Sequence, residues 1–289
     1  MPELPEVETV RRGLARRVVG RRIEHVTVGR ERAVRRTSAQ QVIDGLTGAT
    51  ILEADRRGKY LLLPLDTGDE LMVHLRMSGQ LLLAPAGTPR LAHTHVVMTL
   101  SGEPDEELWF VDPRTFGEVV VFDPAHVDEE LPELAKMGID PLRDGLDAIA
   151  LQAILAGRRT RLKPLLLDQH VIAGIGNIYA DEILHRARLH PGRVAGSLRR
   201  AEVVALHHAM HDVLEAAVGA GGSTLGDAQY VDLMGSGGSY QDDHRVYGRA
   251  GARCVTCGRG LIRRTISAGR STHHCPWCQR LPSAAGGRP

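Results

Sequence analysis

Apolar residues recur every three or four positions near the start of the chain, as at Val7, Val10 and Leu14. This spacing gives a helix one apolar face. Pro5 suits the first turn of such a helix, and the neighbouring glutamates suit the positive end of its dipole. The pattern therefore predicts a helix over residues 2–19 with one buried face.

Short apolar stretches separated by turn residues follow this helix as far as about residue 123. Regularly spaced short strands are typical of a β-sandwich or barrel. Helical periodicity returns from residue 148 to about residue 219. The predicted strands are 23–28, 50–54, 60–65, 70–75, 80–83, 95–100, 108–111 and 118–122, and the predicted helices are 148–155, 161–168, 178–185 and 200–218.

These patterns divide the 289 residues into successive parts and place the chain in the α+β class. The parts are a β-sandwich domain at 2–135, a linker at 136–147, a helical domain at 148–243 with a glycine-rich loop at 219–240, a cysteine-bearing finger at 244–280 and a flexible tail at 281–289. The longest apolar runs are far shorter than the roughly 18–20 residues that a membrane span needs, so we expect no membrane partner.

The net charge of +1 hides a segregated charge distribution. Residues 11–36 hold ten arginines and two acids, residues 245–289 hold nine arginines and no acid, and residues 101–150 hold fourteen acids and three bases. Because local fields steer a polyanion, the basic segments are compatible with a nucleic-acid partner. Only three of the 36 basic residues are lysine. The base composition of the genome can favour arginine in this way, so the alternative interpretation is that the arginine runs form an ordinary solvated surface.

All four cysteines lie in the last 36 residues, where Cys254, Cys257, Cys275 and Cys278 form two Cys-x2-Cys pairs. The seventeen residues between the pairs match the spacing of four-cysteine zinc sites. Four thiolates close a tetrahedral shell, so we expect one structural Zn²⁺. Two disulfides or a redox pair are the alternatives. The first 22 residues show no secretory signal, which disfavours disulfides. The cysteine pairs do not lie in a βαβ pattern, so nothing nearby supports a redox motif.

The N-terminus reads Met1-Pro2-Glu3-Leu4-Pro5. If Met1 is removed, Pro2 presents a secondary α-amine, and α-amines have a pKa near about 8, so much of the amine is free base. Such an amine can attack a sugar C1′ and form an iminium, while Glu3 is placed to move protons. An ordinary helix N-terminus with proline in its first turn is the competing interpretation.

Further motifs follow in a fixed order. They are Pro-Glu-Leu-Pro-Glu at 2–6, Gly-Lys-Tyr at 58–60, His-Leu-Arg-Met-Ser-Gly at 74–79, Asp-Pro-Arg-Thr-Phe-Gly at 112–117, Gly-Ile-Gly-Asn-Ile-Tyr-Ala-Asp-Glu at 174–182, Val-Tyr-Gly-Arg at 246–249 and the cysteine finger. From residue 2 to about residue 279, the chain resembles bacterial formamidopyrimidine-DNA glycosylase, of the Fpg/endonuclease VIII family. Leu4 stands where endonuclease VIII typically has glycine, which favours the oxidised-purine branch.

The resemblance implies an N-terminal catalytic β-sandwich with a leading helix, a helix–two-turn–helix domain whose 219–240 loop caps the lesion, and a zinc-ribbon-like β-hairpin finger. It implies a bifunctional DNA glycosylase and abasic-site lyase of base excision repair. Such an enzyme removes 8-oxoguanine and formamidopyrimidines through a Schiff base and cleaves the strand by β,δ-elimination. The expected partner is damaged double-stranded DNA, and the expected state is a monomer in the bacterial cytoplasm, at the nucleoid.

The resemblance also implies residue roles. The catalytic set comprises Pro2 as Schiff-base nucleophile, Glu3 as proton donor, Glu6 as an organiser of the site, and Lys59 and Arg270 as helpers of the elimination steps. A second set, which fills the gap left by the flipped base, comprises Met77, Arg114 and Phe116. The remaining DNA-contacting or neighbouring positions are His74, His93, Arg158, Lys163 and Asn177.

Two alternatives stay open at this point. A DNA-binding protein without catalysis would keep the wedge and the finger, and an enzyme of the same fold could act on oxidised pyrimidines. The loop at 221–225 resembles the lesion-capping loop, but Asp227 and Ala228 follow where family members often carry an aromatic residue. Strand cleavage does not depend on this loop, so the departure bears on base preference alone. We further expect Met1 to be absent from the active protein.

Overall fold

The structure, a computed structural model, describes residues 1–226 and 229–282 and forms two compact units. The first unit comprises Met1–Lys136 and Ala217–Gln241, and the second comprises Met137–Ala216 and the residues from Asp242 onward. Asp227 and Ala228, and residues 283–289 of the predicted tail, lie outside the described residues. Among the helices that are described, none has the length and apolar character needed to cross a membrane.

The first unit contains the predicted leading helix and β-rich part, whose strands form two four-stranded antiparallel sheets. Its helices are α1 (Leu4–Arg17), α2 (Ala39–Leu46), α3 (Val127–Glu130) and α4 (Pro132–Ala135). Its strands are β1 (Ile23–Val28), β2 (Asp55–Arg57), β3 (Tyr60–Pro64), β4 (Glu70–His74), β5 (Gln80–Pro85), β6 (Thr94–Leu100), β7 (Glu106–Val111) and β8 (Glu118–Phe122). The sheet orders are β1-β6-β7-β5 and β2-β3-β4-β8.

One hydrophobic core joins α1 to both sheets. It contains Val7, Val10 and Leu14 of α1, Val96 and Phe110 of the first sheet, and Leu61 and Val73 of the second. Burying each such side chain stabilises the fold by about 1.5–3 kcal/mol. The apolar stripe that predicts α1 from sequence is therefore the face that this helix buries.

The prediction is wrong at 50–54. Thr50 and Ile51 make only isolated bridges, to Arg22 and Leu65 respectively. The strand forms instead at Asp55–Arg57, where the buried Arg56 pairs with Glu8. The helix α2 was not predicted. Its sequence signal is a capping box, in which Ser38 accepts a hydrogen bond from the backbone of Gln41 and Gln41 accepts one from Ser38.

The second unit contains helices and a two-stranded hairpin. Its elements are α5 (Ala148–Leu155), α6 (Leu162–Leu167), α7 (Asn177–Arg186), α8 (Arg200–Gly219), β9 (Arg263–Ser267) and β10 (Arg270–His274). The division between the units falls near the end of α8. Both carboxylate oxygens of Glu182 on α7 accept backbone N–H groups of residues 245–247, at 2.8–3.0 Å. This contact fixes the start of the finger to α7.

The glycine-rich loop packs with the sandwich. Tyr230 and Leu233 belong to the core of the first unit, and the backbone carbonyl of Leu233 accepts the N–H of Leu83 at 2.9 Å. The sequence-based boundaries group this loop with the helices, because the loop follows α8 directly. Tyr230 and Leu233, which follow the strands of the sandwich by about 100 residues in the sequence, therefore anchor the loop to the sandwich.

Candidate functional site

Pro2 and Glu3 are buried at the start of α1. Glu6, also buried, accepts the backbone N–H of Glu3 on one carboxylate oxygen at 2.8 Å. Its other oxygen accepts the backbone N–H of Ser223 at 2.7 Å. Glu6 therefore connects the N-terminus to the glycine-rich loop, which gives a physical basis for its predicted organising role.

Gly222 lies against the same carboxylate. Its φ of +80° is one that side-chain-bearing residues rarely adopt, and a Cβ at this position would lie 2.7 Å from Glu6 Oε1. The hydroxyl of Tyr230 donates to the carbonyl of Gly221 at 2.9 Å and holds this turn in place. Burial, followed by the nearby charge of Glu6, raises the pKa of Tyr230, so the hydroxyl stays protonated and remains a donor.

Gly222→Ala is expected to displace the Glu6 carboxylate and to reduce activity as well as stability. The stability loss should be about 1–3 kcal/mol, from the left-handed backbone and the close contact together. Gly235→Ala is the matched control, because Gly235 has a φ of +81° in the same loop but a Cβ added there would meet no atom within 4 Å. Thermal unfolding and excision rate would be measured for both; equal activity losses would contradict a specific role for the Gly222–Glu6 contact.

Lys59 is buried after a turn at Gly58, which has a φ of +58°. Arg56 donates to the carbonyl of Gly58 at 2.8 Å and pairs with Glu8 of α1 at 3.1 Å. Burial alone would raise the pKa of Glu8, but hydrogen bonds from two neighbouring arginines and the charge of Arg56 lower it to about 2. The charged pair thus ties the turn that carries Lys59 to the helix that begins at Leu4.

Met77 and Phe116 expose 39% and 38% of their surface, respectively, on two loops of the first unit. The guanidinium of Arg114 lies 4.9 Å from the centre of the Phe116 ring. Exposure of large apolar side chains on loops agrees with a wedge that enters a gap in another molecule.

Asp112 ties these two loops together and was not singled out by sequence. It is fully buried; Oδ1 accepts the hydroxyl of Ser78 at 2.6 Å and the N–H of Arg114 at 3.1 Å, and Oδ2 accepts the N–H of Gly117 at 2.7 Å. The sequence signal is an Asp-Pro pair before a turn, where an aspartate commonly caps backbone N–H groups.

His74 is buried and His93 is exposed. His74 accepts the backbone N–H of Arg76 on Nδ1 at 2.9 Å, and its ring meets Tyr60 edge-on at a centroid distance of 4.3 Å. Burial lowers the pKa of His74 to about 3, with the charges of Arg76, Lys59 and Arg36 acting in the same direction and Glu118 opposing them. The predicted DNA-contacting histidine is therefore a neutral group that shapes the loop before Met77.

His74 should make the protein less stable in acid. Its pKa is about 3 in the folded chain and about 6.5 when unfolded, so the unfolded chain binds the extra proton between these values. Stability should fall as the pH falls from about 6.5 toward 3, with a slope of up to about 1.4 kcal/mol per pH unit from this group. Denaturant titrations across this range should show a smaller slope for His74→Gln than for the exposed-residue control His25→Gln; an unchanged slope would refute the assignment.

In the second unit, three predicted residues meet at the hairpin. The buried Lys163 donates from Nζ to Asp181 at 2.6 Å and to the carbonyl of Ser271 at 2.7 Å. Asn177 donates to the hydroxyl of Ser271 at 3.3 Å. Arg270, which precedes Ser271, is exposed at the hairpin tip. Lys163 supports the hairpin from inside, so the structure gives it no surface from which to contact DNA directly.

Arg158 follows the C-terminal end of α5. Its side chain is exposed, and Nε donates to the carbonyl of Ile154 at 2.7 Å. Arg158 thus presents an exposed charge just after α5, with its Nε–H directed to the backbone of that helix.

The four cysteines form one cluster, and all are free thiols. Their sulfur atoms lie within 4.8 Å of one another, with Cys254–Cys278 at 3.8 Å and Cys257–Cys275 at 3.7 Å. A tetrahedron with metal–sulfur bonds of about 2.3 Å has edges of about 3.8 Å, whereas a disulfide needs about 2.05 Å. The arrangement can hold a metal ion and excludes the predicted alternative of two disulfides.

Backbone groups and a histidine surround these thiols. The N–H of Gly260 points at Cys257 Sγ at 3.5 Å and, with a second backbone N–H, lowers the pKa of Cys257 to about 6. His185 Nε2 lies 3.6 Å from Cys254 Sγ. Burial, with nearby arginine charges, lowers the pKa of His185 to about 4, so this ring is neutral at pH 7.

These features define a class of protein that combines a helix-led β-sandwich with a helical unit and a four-cysteine hairpin. Two family models match the chain, described as Formamidopyrimidine-DNA glycosylase N-terminal domain over residues 1–119 and Formamidopyrimidine-DNA glycosylase H2TH domain over residues 137–229. The chain belongs to the formamidopyrimidine-DNA glycosylase family, which confirms the resemblance found in the sequence.

Individual relatives agree over the full length. Formamidopyrimidine-DNA glycosylase from Salinispora arenicola is 46% identical over 288 residues, covering 99% of this chain and 98% of its own length. The Cereibacter sphaeroides protein of the same name is 43% identical over 289 residues, covering 97% and 100%. A solved complex between Lactococcus lactis Fpg and an abasic site containing DNA has a TM-score of 0.86 at 37% identity, covering 96% of this chain and 100% of that chain.

Proposed function

We propose that this protein is a bifunctional DNA glycosylase and abasic-site lyase of base excision repair. The observation that carries this proposal is the start of α1, where Pro2 and Glu3 are buried beside Glu6 in a chain of the formamidopyrimidine-DNA glycosylase family. Its substrate is damaged double-stranded DNA, in agreement with the DNA bound by the Lactococcus lactis protein. Because its substrate is DNA, the enzyme would act at the bacterial nucleoid in the cytoplasm. It would act as a monomer.

The reaction begins at the Pro2 nitrogen, which must be freed of Met1. Its lone pair attacks C1′, the bond from C1′ to the damaged base breaks, and the base leaves with the proton that the attacking nitrogen gives up. Glu3 protonates the sugar ring oxygen, so the ring opens and the nitrogen, after losing its proton, forms an iminium. Glu6 holds the backbone of Glu3 and fixes the carboxylate that moves the proton.

Strand cleavage then proceeds from the iminium. Loss of a proton from C2′ expels the 3′ phosphate, and loss of a proton from C4′ expels the 5′ phosphate. Lys59 assists the first elimination and Arg270 the second. Water finally hydrolyses the iminium, which returns the free Pro2 amine.

Recognition of the lesion uses the exposed groups. Met77, Arg114 and Phe116 fill the gap that a flipped base leaves and contact the orphaned partner base. The DNA backbone is contacted by Asn177, at the N-terminus of α7, and by the exposed side chains of Arg158, His93 and Arg270. The buried His74 and Lys163 act indirectly, by shaping the loop before Met77 and the hairpin, respectively.

Zinc is the metal that fits the four thiolates best. The sulfur separations of 3.7 and 3.8 Å match a tetrahedral site with four cysteine ligands, and four protein ligands leave no position for substrate. Bound Zn²⁺ supplies structure and no chemistry. It would hold the hairpin that carries Arg270, because the small apolar cluster around Cys254 and Cys275 has few other members.

The purified protein should contain one zinc ion per chain, and Cys254→Ser should lose it. Without metal the finger should unfold, and DNA affinity should fall by about 10-fold or more, because Arg270 loses its support. Val255→Ala, at an exposed neighbour in the same knuckle, should retain both metal and affinity. Metal analysis and a binding titration check this; a Cys254→Ser protein with full affinity would contradict the structural role.

The lesion range is tested with duplexes that carry 8-oxoguanine, a formamidopyrimidine or thymine glycol. We expect release of the two purine lesions, since the relatives named above are formamidopyrimidine-DNA glycosylases. Release of thymine glycol alone would support the oxidised-pyrimidine alternative. Tight binding to all three duplexes without base release would support the non-catalytic alternative.

A further inference from the structure

Glu118 gathers arginines from two distant parts of the first unit. It is almost fully buried at the start of β8, and its carboxylate contacts Arg35, Arg36 and Arg76. Arg36 Nε donates to Oε2 at 2.6 Å, and Arg76 Nη2 donates to Oε1 at 2.9 Å. We call Glu118 and these three arginines the arginine bracket.

The bracket reaches both loops that carry the proposed wedge. Arg76 directly precedes Met77, and Arg35 donates to the carbonyl of Phe116 at 3.1 Å as well as to Glu118. Arg32, from the same basic segment, donates to the carbonyl of Thr115 at 3.2 Å. Arg32 and Arg35 therefore donate directly to the backbone of the loop that carries Phe116, while Arg36 contacts Glu118 and Glu133.

The backbone of both loops needs such support. Arg76 has a φ of +53° and Thr115 a φ of +54°, and each left-handed conformation costs a side-chain-bearing residue about 1–2 kcal/mol. A loop held in a costly conformation persists only when surrounding contacts determine it. The bracket provides those contacts next to Arg76 and next to Thr115.

Charge makes Glu118 the centre of the bracket. Three guanidinium groups converge on one carboxylate whose side chain is 2% exposed, while the arginines are 26–37% exposed. Burial alone would raise the pKa of Glu118, but the hydrogen bond and charge of Arg36, together with Arg76, lower it. Removal of the carboxylate would leave Arg35 and Arg76 as like charges without their shared acceptor, while Arg36 would keep its pair with Glu133. The charged link between the two loops would then be lost, and Asp112 would be left to join them.

We propose that Glu118 is a positioning residue that joins the loops of Met77 and Phe116 into one rigid wedge. This inference rests on the wedge role proposed above for Met77, Arg114 and Phe116. Through that wedge, the bracket governs how fast the orphaned base is displaced and how sharply the enzyme distinguishes the base opposite the lesion. It acts on DNA recognition and has no part in the chemistry at Pro2.

The test compares Glu118→Gln with Glu130→Gln, which changes an exposed glutamate of α3. A duplex with a tetrahydrofuran abasic analogue opposite a fluorescent cytosine analogue reports insertion, because displacement of the analogue from the stack raises its emission. The inserted state should form about 10-fold more slowly with Glu118→Gln and at the parental rate with Glu130→Gln. The preference for 8-oxoguanine opposite cytosine over adenine should shrink in parallel.

Arg76→Gly keeps the proposal testable if Glu118→Gln fails to fold. Glycine relieves the positive φ and removes one arm of the bracket, so this variant should fold and still insert more slowly than Arg76→Lys, which keeps the charge. Parental insertion rates in a folded Glu118→Gln, or in Arg76→Gly, would overturn the proposal.

Borohydride trapping on single-stranded abasic DNA separates this inference from the proposed function. Single-stranded DNA has no orphaned base, so trapping there should be equal in the parent and in all four variants. A parent chain that traps no abasic DNA would refute the enzyme assignment itself. A parent that traps, combined with unchanged insertion in the bracket variants, would refute only the bracket.

Discussion

A chain that retains Met1 should be unable to excise a base or to cleave DNA. In such a chain the Pro2 nitrogen belongs to a peptide bond, so it has no lone pair available to attack C1′. The excision rate should fall on the order of 10⁴-fold or more, the scale expected when a covalent nucleophile is removed. Single-turnover kinetics on an 8-oxoguanine duplex, with intact-mass measurement of the same sample, would check this.

The control is the same protein treated with a methionine aminopeptidase. Removal of one residue exposes the secondary amine and should restore excision in proportion to the fraction of chains that begin at Pro2. Intact mass distinguishes the processed chains from the unprocessed ones in the same sample. Full activity in a sample that retains Met1 throughout would contradict the Pro2 mechanism.

Glu3→Gln should reduce base excision by about 10²–10⁴-fold, the usual contribution of a positioned general acid. The amide has nearly the same size and leaves the backbone N–H of residue 3 available to Glu6, so the fold should be kept. Glu24→Gln, at an exposed position of β1, is the matched control and should have parental rates.

The two reaction stages should respond differently to Glu3→Gln. A preformed abasic site has lost its base, and its sugar ring opens to the aldehyde without the enzyme, so Pro2 can form the iminium there without a proton from Glu3. Strand cleavage at that site should therefore fall much less than excision of 8-oxoguanine. Rapid-quench assays on the two substrates give the two losses separately. Equal losses on both would mean that residue 3 supports DNA binding or the fold and does not move the proton at the sugar.

Sequence patterns predicted the elements with a strong apolar signal, which is a one-sided stripe in α1 and a continuous apolar run, buried on both faces, in β3 and β4. The helix α1 and the strands β1, β3 and β4 lie within two residues of their predicted starts, because their burial follows directly from local spacing. The strand β2 was misplaced because it consists of Asp55, Arg56 and Arg57, and its stability comes from Glu8, which lies far away in the sequence.

In the site, groups of residues that are close together in the sequence could also be predicted. Contacts between residues that are far apart in the sequence could not. The four cysteines cluster as their spacing predicts. In contrast, the basic segment at 11–36 is compatible with a nucleic-acid partner in sequence, yet its Arg35 and Arg36 pair with Glu118, which follows them by 83 and 82 residues. Lys163 likewise pairs with Asp181, so its burial could not be inferred from its own neighbourhood.

Borohydride trapping on a duplex with 8-oxoguanine opposite cytosine tests the central claim most directly. Reduction fixes the iminium as a covalent protein–DNA adduct, and peptide mapping then identifies the attached residue. The proposed mechanism predicts an adduct on the nitrogen of Pro2 in a chain that lacks Met1. The absence of any adduct, or an adduct on Lys59 instead, would contradict it.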